Sequence, residues 1–322
     1  MQKGENAISV GVAGVMVLVF IAAQQRWQIS GLEKLAASAE ERILSPTGLH
    51  GETPDLSGYE KLKTFALASY QASLYRQTPA PLTFALGRFV VYDRANRPAF
   101  MMNTLEGSRE TWTAVYDFAG RNGRSASGRR AKPRFTLDLT GNGTLEALIG
   151  SYSGGDRCCT IVTVLELGKE TVRVLGRIRG LDGLPFEGLE LRKVDQDPAW
   201  EILAHSRYRT LCGGHEDSAD VISVYDYVNG EWSNQTPRHT DFLRSVLRDH
   251  VQKWGRAKDQ SVQLLQTIAA EFAVLGERDQ GQRFFAMNLA AVLPQLHKDG
   301  VDLNGCLEDN ASLLARLPSV VQ

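Results

Sequence analysis

The chain has 322 residues, a formal net charge of -1, 43% apolar residues and 23% charged ones. That is material for one large domain or two modest ones with a sizeable core. The near-zero balance excludes a global pull toward nucleic acid or anionic membrane, so any electrostatic partner must be read by a local patch.

The N-terminus is the least ordinary part. Residues 8 to 23 (ISVGVAGVMVLVFIAA) carry no charge and fall just short of the roughly 20 apolar residues that span a bilayer as a helix. Residues 1 to 25 therefore read as a membrane anchor or export signal. Lys3 is offset by Glu5, and the nearest small-x-small cleavage pattern is Ala37-Ser38-Ala39, well beyond the apolar run, which favours an uncleaved anchor. Residues 26 to 58 continue as a stalk helix, spaced through Trp27, Leu32, Leu35 and Ile43, and a Pro/Gly/Ser linker, SPTGLHGETPDLSG. Lys3 and the amino terminus balance Arg26 and Lys34, so orientation does not follow from charge.

Residues 59 to 240 read as a mainly antiparallel β-domain with a leading helix. The spacing of Leu62, Phe65, Ala66, Tyr70 and Leu74 predicts that helix over 59 to 75. Strands are expected at 84 to 93, 98 to 106, 110 to 118, 144 to 152, 158 to 167, 170 to 178, 199 to 208 and 220 to 232, separated by turns such as "LGKE" and "VNGE". Residues 241 to 322 form a helical segment, with 3.6-residue periodicity over 241 to 254, 261 to 296 and 306 to 317. Within it Leu265, Ile268, Ala269, Phe272, Gly276, Gly281, Phe285 and Pro294 resemble one tetratricopeptide unit. One unit cannot stack as a solenoid, so a plain helical hairpin packed on the β part is expected. The fold class is α+β: an N-terminal membrane helix, a central antiparallel β-domain that is partly propeller-like or a sandwich, and C-terminal helices.

DLTGNGTLE, residues 138 to 146, places Asp138, Thr140, Asn142 and Glu146 at even offsets around Gly141 and Gly143. Calcium turns use oxygens at positions 1, 3, 5 and 9, a backbone carbonyl at 7 (here Thr144) and a glycine at 6. A Ca²⁺ affinity around 10⁻⁴ to 10⁻³ M is expected of such a set. The alternative is a turn shaped by side-chain-to-backbone hydrogen bonds, without metal. VDQDPAWEIL, residues 194 to 203, reads as a worn copy in which Asp195 and Asp197 precede Glu201, two residues short and with Pro198 at the glycine position.

The turn and its following strand resemble the integrin-α-like repeats called FG-GAP or VCBS. Together with SYSGGDRCCTIVTVLEL (151 to 167) and the "NGEW" turn (229 to 232), they resemble a group of uncharacterised exported bacterial proteins that carry a Ser-Gly-Gly-x-x-Cys-Cys motif. The likeness covers about 110 residues, 135 to 246. It implies a fold and a place in the cell envelope, not a reaction.

Cys158, Cys159, Cys212 and Cys306 are an even number, which in an exported chain predicts at least one disulfide. Neighbours on a strand face opposite sides, so Cys158 and Cys159 should seek different partners, and Cys212 is the expected partner of one. Cys212 and His215 offer a nucleophile and base for an alternative reading as a hydrolase of envelope polymers. RNGRSASGRRAKPR (121 to 134) is a basic loop whose Arg121, Arg124, Arg129, Arg130, Lys132 and Arg134 either clasp an anionic ligand or stay solvated. It has no interleaved aromatics, which argues against single-stranded nucleic acid, and no nucleic-acid partner is expected.

The expected protein is thus a single-pass envelope protein. It is held in the membrane through residues 8 to 23, with its bulk in the periplasm or outside. It acts as a non-catalytic binding or scaffolding module for an envelope protein or glycan, with Ca²⁺ as its candidate ion. An adhesin-like glycan binder is the third reading.

Overall fold

The computed structural model describes residues 46–47, 53–78, 84–119, 132–152, 158–182, 184–208, 212, 217–296 and 303–319. The expected anchor and stalk lie outside them. Among the described residues no helix is long and apolar enough to cross a membrane.

The strands form three antiparallel sheets in chain order. The first holds β1 (Pro46–Thr47), β2 (Tyr59–Leu67), β3 (Tyr70–Gln77), β4 (Phe84–Tyr92) and β5 (Pro98–Gly107), in the order β1-β5-β4-β3-β2. The second holds β6 (Thr113–Val115), β7 (Leu145–Tyr152), β8 (Cys158–Leu167) and β9 (Val172–Asp182), side by side in that order. The third repeats this with β10 (Leu189–Arg192), β11 (Glu201–Tyr208), β12 (Ala219–Val228) and β13 (Glu231–Asn234). Among the described residues four longer helices follow, α1 (Thr240–Trp254), α2 (Val262–Val274), α3 (Arg278–Asn288) and α4 (Leu303–Arg316), with a single turn of helix at Leu293–Leu296 between the last two. The class is α+β.

Side-chain alternation explains how the sheets stack. On β7, Ala147 and Ile149 share a core with Phe65, Leu74 and Phe89 of the first sheet, whereas Leu148 points the other way, into a core shared with Ile202 and Ala204 of β11. On β11 the intervening Leu203 joins Val224 and the helices, packing with Leu265, Ile268 and Phe285. The second and third sheets are therefore covered on both faces, and the central strands β7 and β8 of the second read as nearly unbroken buried runs. The layers run sheet, sheet, sheet, helices.

The leading helix over 59 to 75 is a β-hairpin instead. β2 pairs with β3 from Tyr59↔Gln77 to Leu67↔Tyr70, leaving Ala68 and Ser69 as a two-residue turn, with Ala68 at φ 53°. Such turns need positive φ and are usually announced by Asn-Gly or Asp-Gly. Ala-Ser gives no such notice, and the buried Phe65, Leu67, Tyr70, Ala72 and Leu74 mimic helical spacing once the alternation is broken by the turn. The β12–β13 hairpin shows the contrast, because its Asn229-Gly230 turn, with both residues at positive φ, was legible. Strand β10 was not expected, and the strand expected over 110 to 118 is reduced to Thr113–Val115. The expected helical hairpin is present as α2 and α3.

Candidate functional site

In each of the three sheets one strand begins or ends at a buried glutamate that clamps backbone. Glu146, the second residue of β7, accepts from the N–H of Leu139 at 2.7 Å and of Thr140 at 3.3 Å. Glu201, the first residue of β11, accepts from the N–H of Val194. Glu106, near the end of β5, accepts from Trp112 at 2.8 Å and Thr113 at 3.3 Å. All three are fully buried, and burial pushes their carboxyls upward, that of Glu146 to about 7, against the pull of these hydrogen bonds.

The sequence-predicted turn is built around Glu146. Asp138 Oδ2 accepts from Gly143 N–H at 3.0 Å, and Asn142 Oδ1 accepts from Thr144 N–H at 2.7 Å. Thr140 Oγ1 donates to Glu146 Oε1 at 3.4 Å. The side-chain oxygens that would meet Ca²⁺ thus already receive backbone and hydroxyl hydrogens, and the turn closes on its own bonds. Asp138 Oδ1 is the exception, buried without a hydrogen-bond partner. As a cation cage the set is thin, with Asp138 Oδ1 its best-placed donor.

The worn copy is a full copy. Glu146 reaches back seven residues to Leu139, and Glu201 reaches back seven to Val194, so no residue is missing and each position recurs 55 residues later. Asn142 and Thr144 become Asp197 and Ala199, which make the same turn at 2.8 Å. Gly143 becomes Pro198, which has no N–H to be capped, and the capping Asp138 becomes Lys193. Lys193 Nζ donates instead to the carbonyls of Asp197, Pro198 and Ala199, the last being the counterpart of Thr144. An ammonium sits where the first turn would seat a cation. The two turns also touch: Trp200 N–H donates to the Leu139 carbonyl at 2.7 Å, and a Cβ on Gly141 (φ 71°) would lie 2.5 Å from Pro198 Cβ.

A polar cleft of about 260 Å³ lies between the third sheet and the helices α1 and α2. Its wall holds two histidine–carboxylate pairs: His205 Nδ1 to Asp220 at 3.0 Å and His250 Nδ1 to Glu271 at 2.7 Å. Burial works against the His205 imidazolium, but Asp220 outweighs it and the pKa is raised. Glu271 raises that of His250 against burial, while burial raises Glu271 itself. No local sequence pattern announces this cleft, since its pairs join residues from β11, β12, α1 and α2. Asp195, Asp197, Glu201, Asp226 and His239 gather near the other end of the same sheet.

Cys212 is bonded to Cys306, with a sulfur–sulfur distance of 2.04 Å. This corrects the expected pairing with Cys158 or Cys159, whose side chains lie outside the described residues. The bond ties the β11–β12 connection to α4, and with it the Cys212 thiol is no longer a nucleophile. His215 lies outside the described residues, as do Arg121, Arg124, Arg129 and Arg130. Of the basic loop's end, Lys132 and Arg134 are exposed. The loop's base is fixed where Asp117 Oδ1 accepts from Arg134 N–H at 2.9 Å and from Ala119 N–H at 3.0 Å. Comparison with family models, curated proteins and solved structures finds no match for this chain.

Proposed function

We propose that this chain is a membrane-anchored envelope protein that binds or scaffolds rather than catalyses. The observation that carries the reading is the Cys212–Cys306 bond. Disulfides belong to oxidising compartments, and this one occupies the sulfur that the Cys212/His215 hydrolase needed. The stacked sheets opened by paired turns support a partly propeller-like β-domain, with Ca²⁺ held weakly at Asp138 and the Thr144 carbonyl and stabilising the fold rather than reacting. An envelope protein or glycan is the partner class, met by the basic loop or by the polar cleft.

A second reading is favoured by one observation: each histidine of the cleft is oriented by a carboxylate, the arrangement that positions a general base. The test uses the full chain exported in cells. Non-reducing peptide maps, taken with alkylation before lysis, are expected to show Cys212 joined to Cys306, and carbonate washing to leave the chain in the membrane fraction. An alkylatable Cys212, or release by carbonate, overturns the first reading. Hydrolysis of purified envelope polymers that disappears in His205→Gln or His250→Gln would establish the second.

A further inference from the structure

Five side chains able to ligate a metal come together from four separate elements. Ile202 pairs with Tyr225 across β11 and β12, so Glu201 and Asp226, the next positions on the two antiparallel strands, lie on one face at the sheet's end. Asp195 and Asp197 arrive from the second turn. His239 ends the 3₁₀ turn Thr236–His239 and is the N-cap of α1. One ligand atom each from Asp195, Asp226 and His239 lies within 4.8 Å of the others, and the same holds for Asp195, Asp197 and Glu201. Asp195 is exposed and belongs to both groups.

Three of the five are buried and short of partners. The Asp226 side chain is 2% exposed and that of His239 is 5% exposed, while Glu201 is fully buried. Asp226 Oδ1, His239 Nε2 and Glu201 Oε1 have no hydrogen-bond partner, a costly arrangement for groups away from water. Asp226 Oδ2 and His239 Nε2 stand 3.7 Å apart, too far for a hydrogen bond and somewhat wider than the roughly 3.3 Å between two donors on one tetrahedral ion about 2 Å from each. Four carboxylates here face two cations, Lys193, turned to carbonyls, and Arg238, 3.6 Å from Asp226.

We infer that Asp195, Asp226 and His239 bind one divalent transition-metal ion of the zinc or manganese class, with Glu201 and Asp197 as adjacent carboxylates. An imidazole nitrogen among carboxylates selects that class, because Ca²⁺ takes oxygen ligands whereas imidazole suits first-row transition metals. The ligands are already oriented: Asp197 N–H donates to Asp195 Oδ1 at 2.9 Å, Val194 N–H holds Glu201, and Arg238 stands beside Asp226. The exposed Asp195 is the route of entry. The centre differs from a loop-only calcium turn, since two of its three main ligands come from β12 and from the entry to α1.

The test is calorimetric titration of the metal-stripped full chain in detergent with ZnCl₂ and MnCl₂, beside CaCl₂ and MgCl₂. One zinc or manganese ion per chain is expected, with Ca²⁺ and Mg²⁺ weaker. Asp195→Asn keeps an oxygen for the Asp197 N–H, so its melt in chelator should match wild type while metal affinity falls by more than about tenfold. His239→Gln should weaken zinc more than Mg²⁺. Asp138→Asn and the double variant His205→Gln/His250→Gln should bind as wild type does. Absence of stoichiometric binding overturns the inference, as does binding that survives both Asp195→Asn and His239→Gln, or that is lost in the cleft variant instead.

Discussion

The turns at 138 to 146 and 193 to 201 share a residue spacing and are completed by opposite charges, although Gly141 and Gly143 take positive φ and their counterparts Gln196 and Pro198 do not. In the first, an aspartate caps the N–H of Gly143; in the second, proline removes that N–H and a lysine fills the middle by donating to carbonyls. What both retain is the buried glutamate reaching back seven residues. The comparison teaches that this glutamate holds the frame, and that the oxygen-rich motif the eye catches first is the replaceable part.

The largest expected effect comes from breaking the contact between the turns. Gly141→Val must place a branched side chain at positive φ and against Pro198, so a loss of more than about 3 kcal/mol is expected in urea unfolding. Close behind is removal of the frame itself. Glu146→Ala orphans two buried N–H groups and Glu201→Ala one, for losses of about 3 and about 2 kcal/mol; equal losses would dissolve the distinction drawn between them.

Acidity tests the shared glutamate frame next. Glu146, Glu106, Glu201, Asp226 and Glu271 are all raised by burial, and His205 and His250 end raised by their carboxylates. A raised folded-state pKa means that the native chain holds its proton more tightly, so the stability it lends is present at low pH and lost as pH rises. For Glu146 the window runs from the ordinary carboxyl value of 4.5 to about 7, and up to about 3 kcal/mol is expected to disappear across it. Urea midpoints measured from pH 5 to 8 should fall, and Glu146→Gln should flatten the fall.

Two smaller effects sharpen the exchange of charges. Lys193→Asp should destabilise alone and be partly rescued by Pro198→Gly, which restores an N–H for the new carboxylate, with a coupling of about 1 kcal/mol in a double-mutant cycle. Millimolar Ca²⁺ should raise the melting temperature by about 2 °C relative to chelator, and Asp138→Ala should remove that rise.

The sequence made the long strands of the second and third sheets legible, helped in β8 by burial on both faces, which leaves a continuous run such as IVTVLEL, but it missed the four-residue β10. It hid the first hairpin, whose Ala68-Ser69 turn lacks the usual residues. The turn at 138 to 146 was legible as a turn, and the equal spacing of Glu146 and Glu201 from their preceding hydrophobic residues, Leu139 and Val194, was the available signal that the copy was complete. The Cys306 partner was out of reach, 94 residues from Cys212. So was the gathering of Asp195, Asp226 and His239, since strand register and the helix entry bring them together and no local spacing encodes either.

The bond between Cys212 and Cys306 also sets a path for tension. It closes a covalent ring over β12, β13 and the first three helices. A pull on the two ends of the chain would pass from β11 through the sulfurs into α4 and leave the ring's contents unloaded. A single-molecule stretching trace should therefore fall short by roughly 330 Å of contour at about 3.5 Å per residue, and reduction should release that hidden length in one further event.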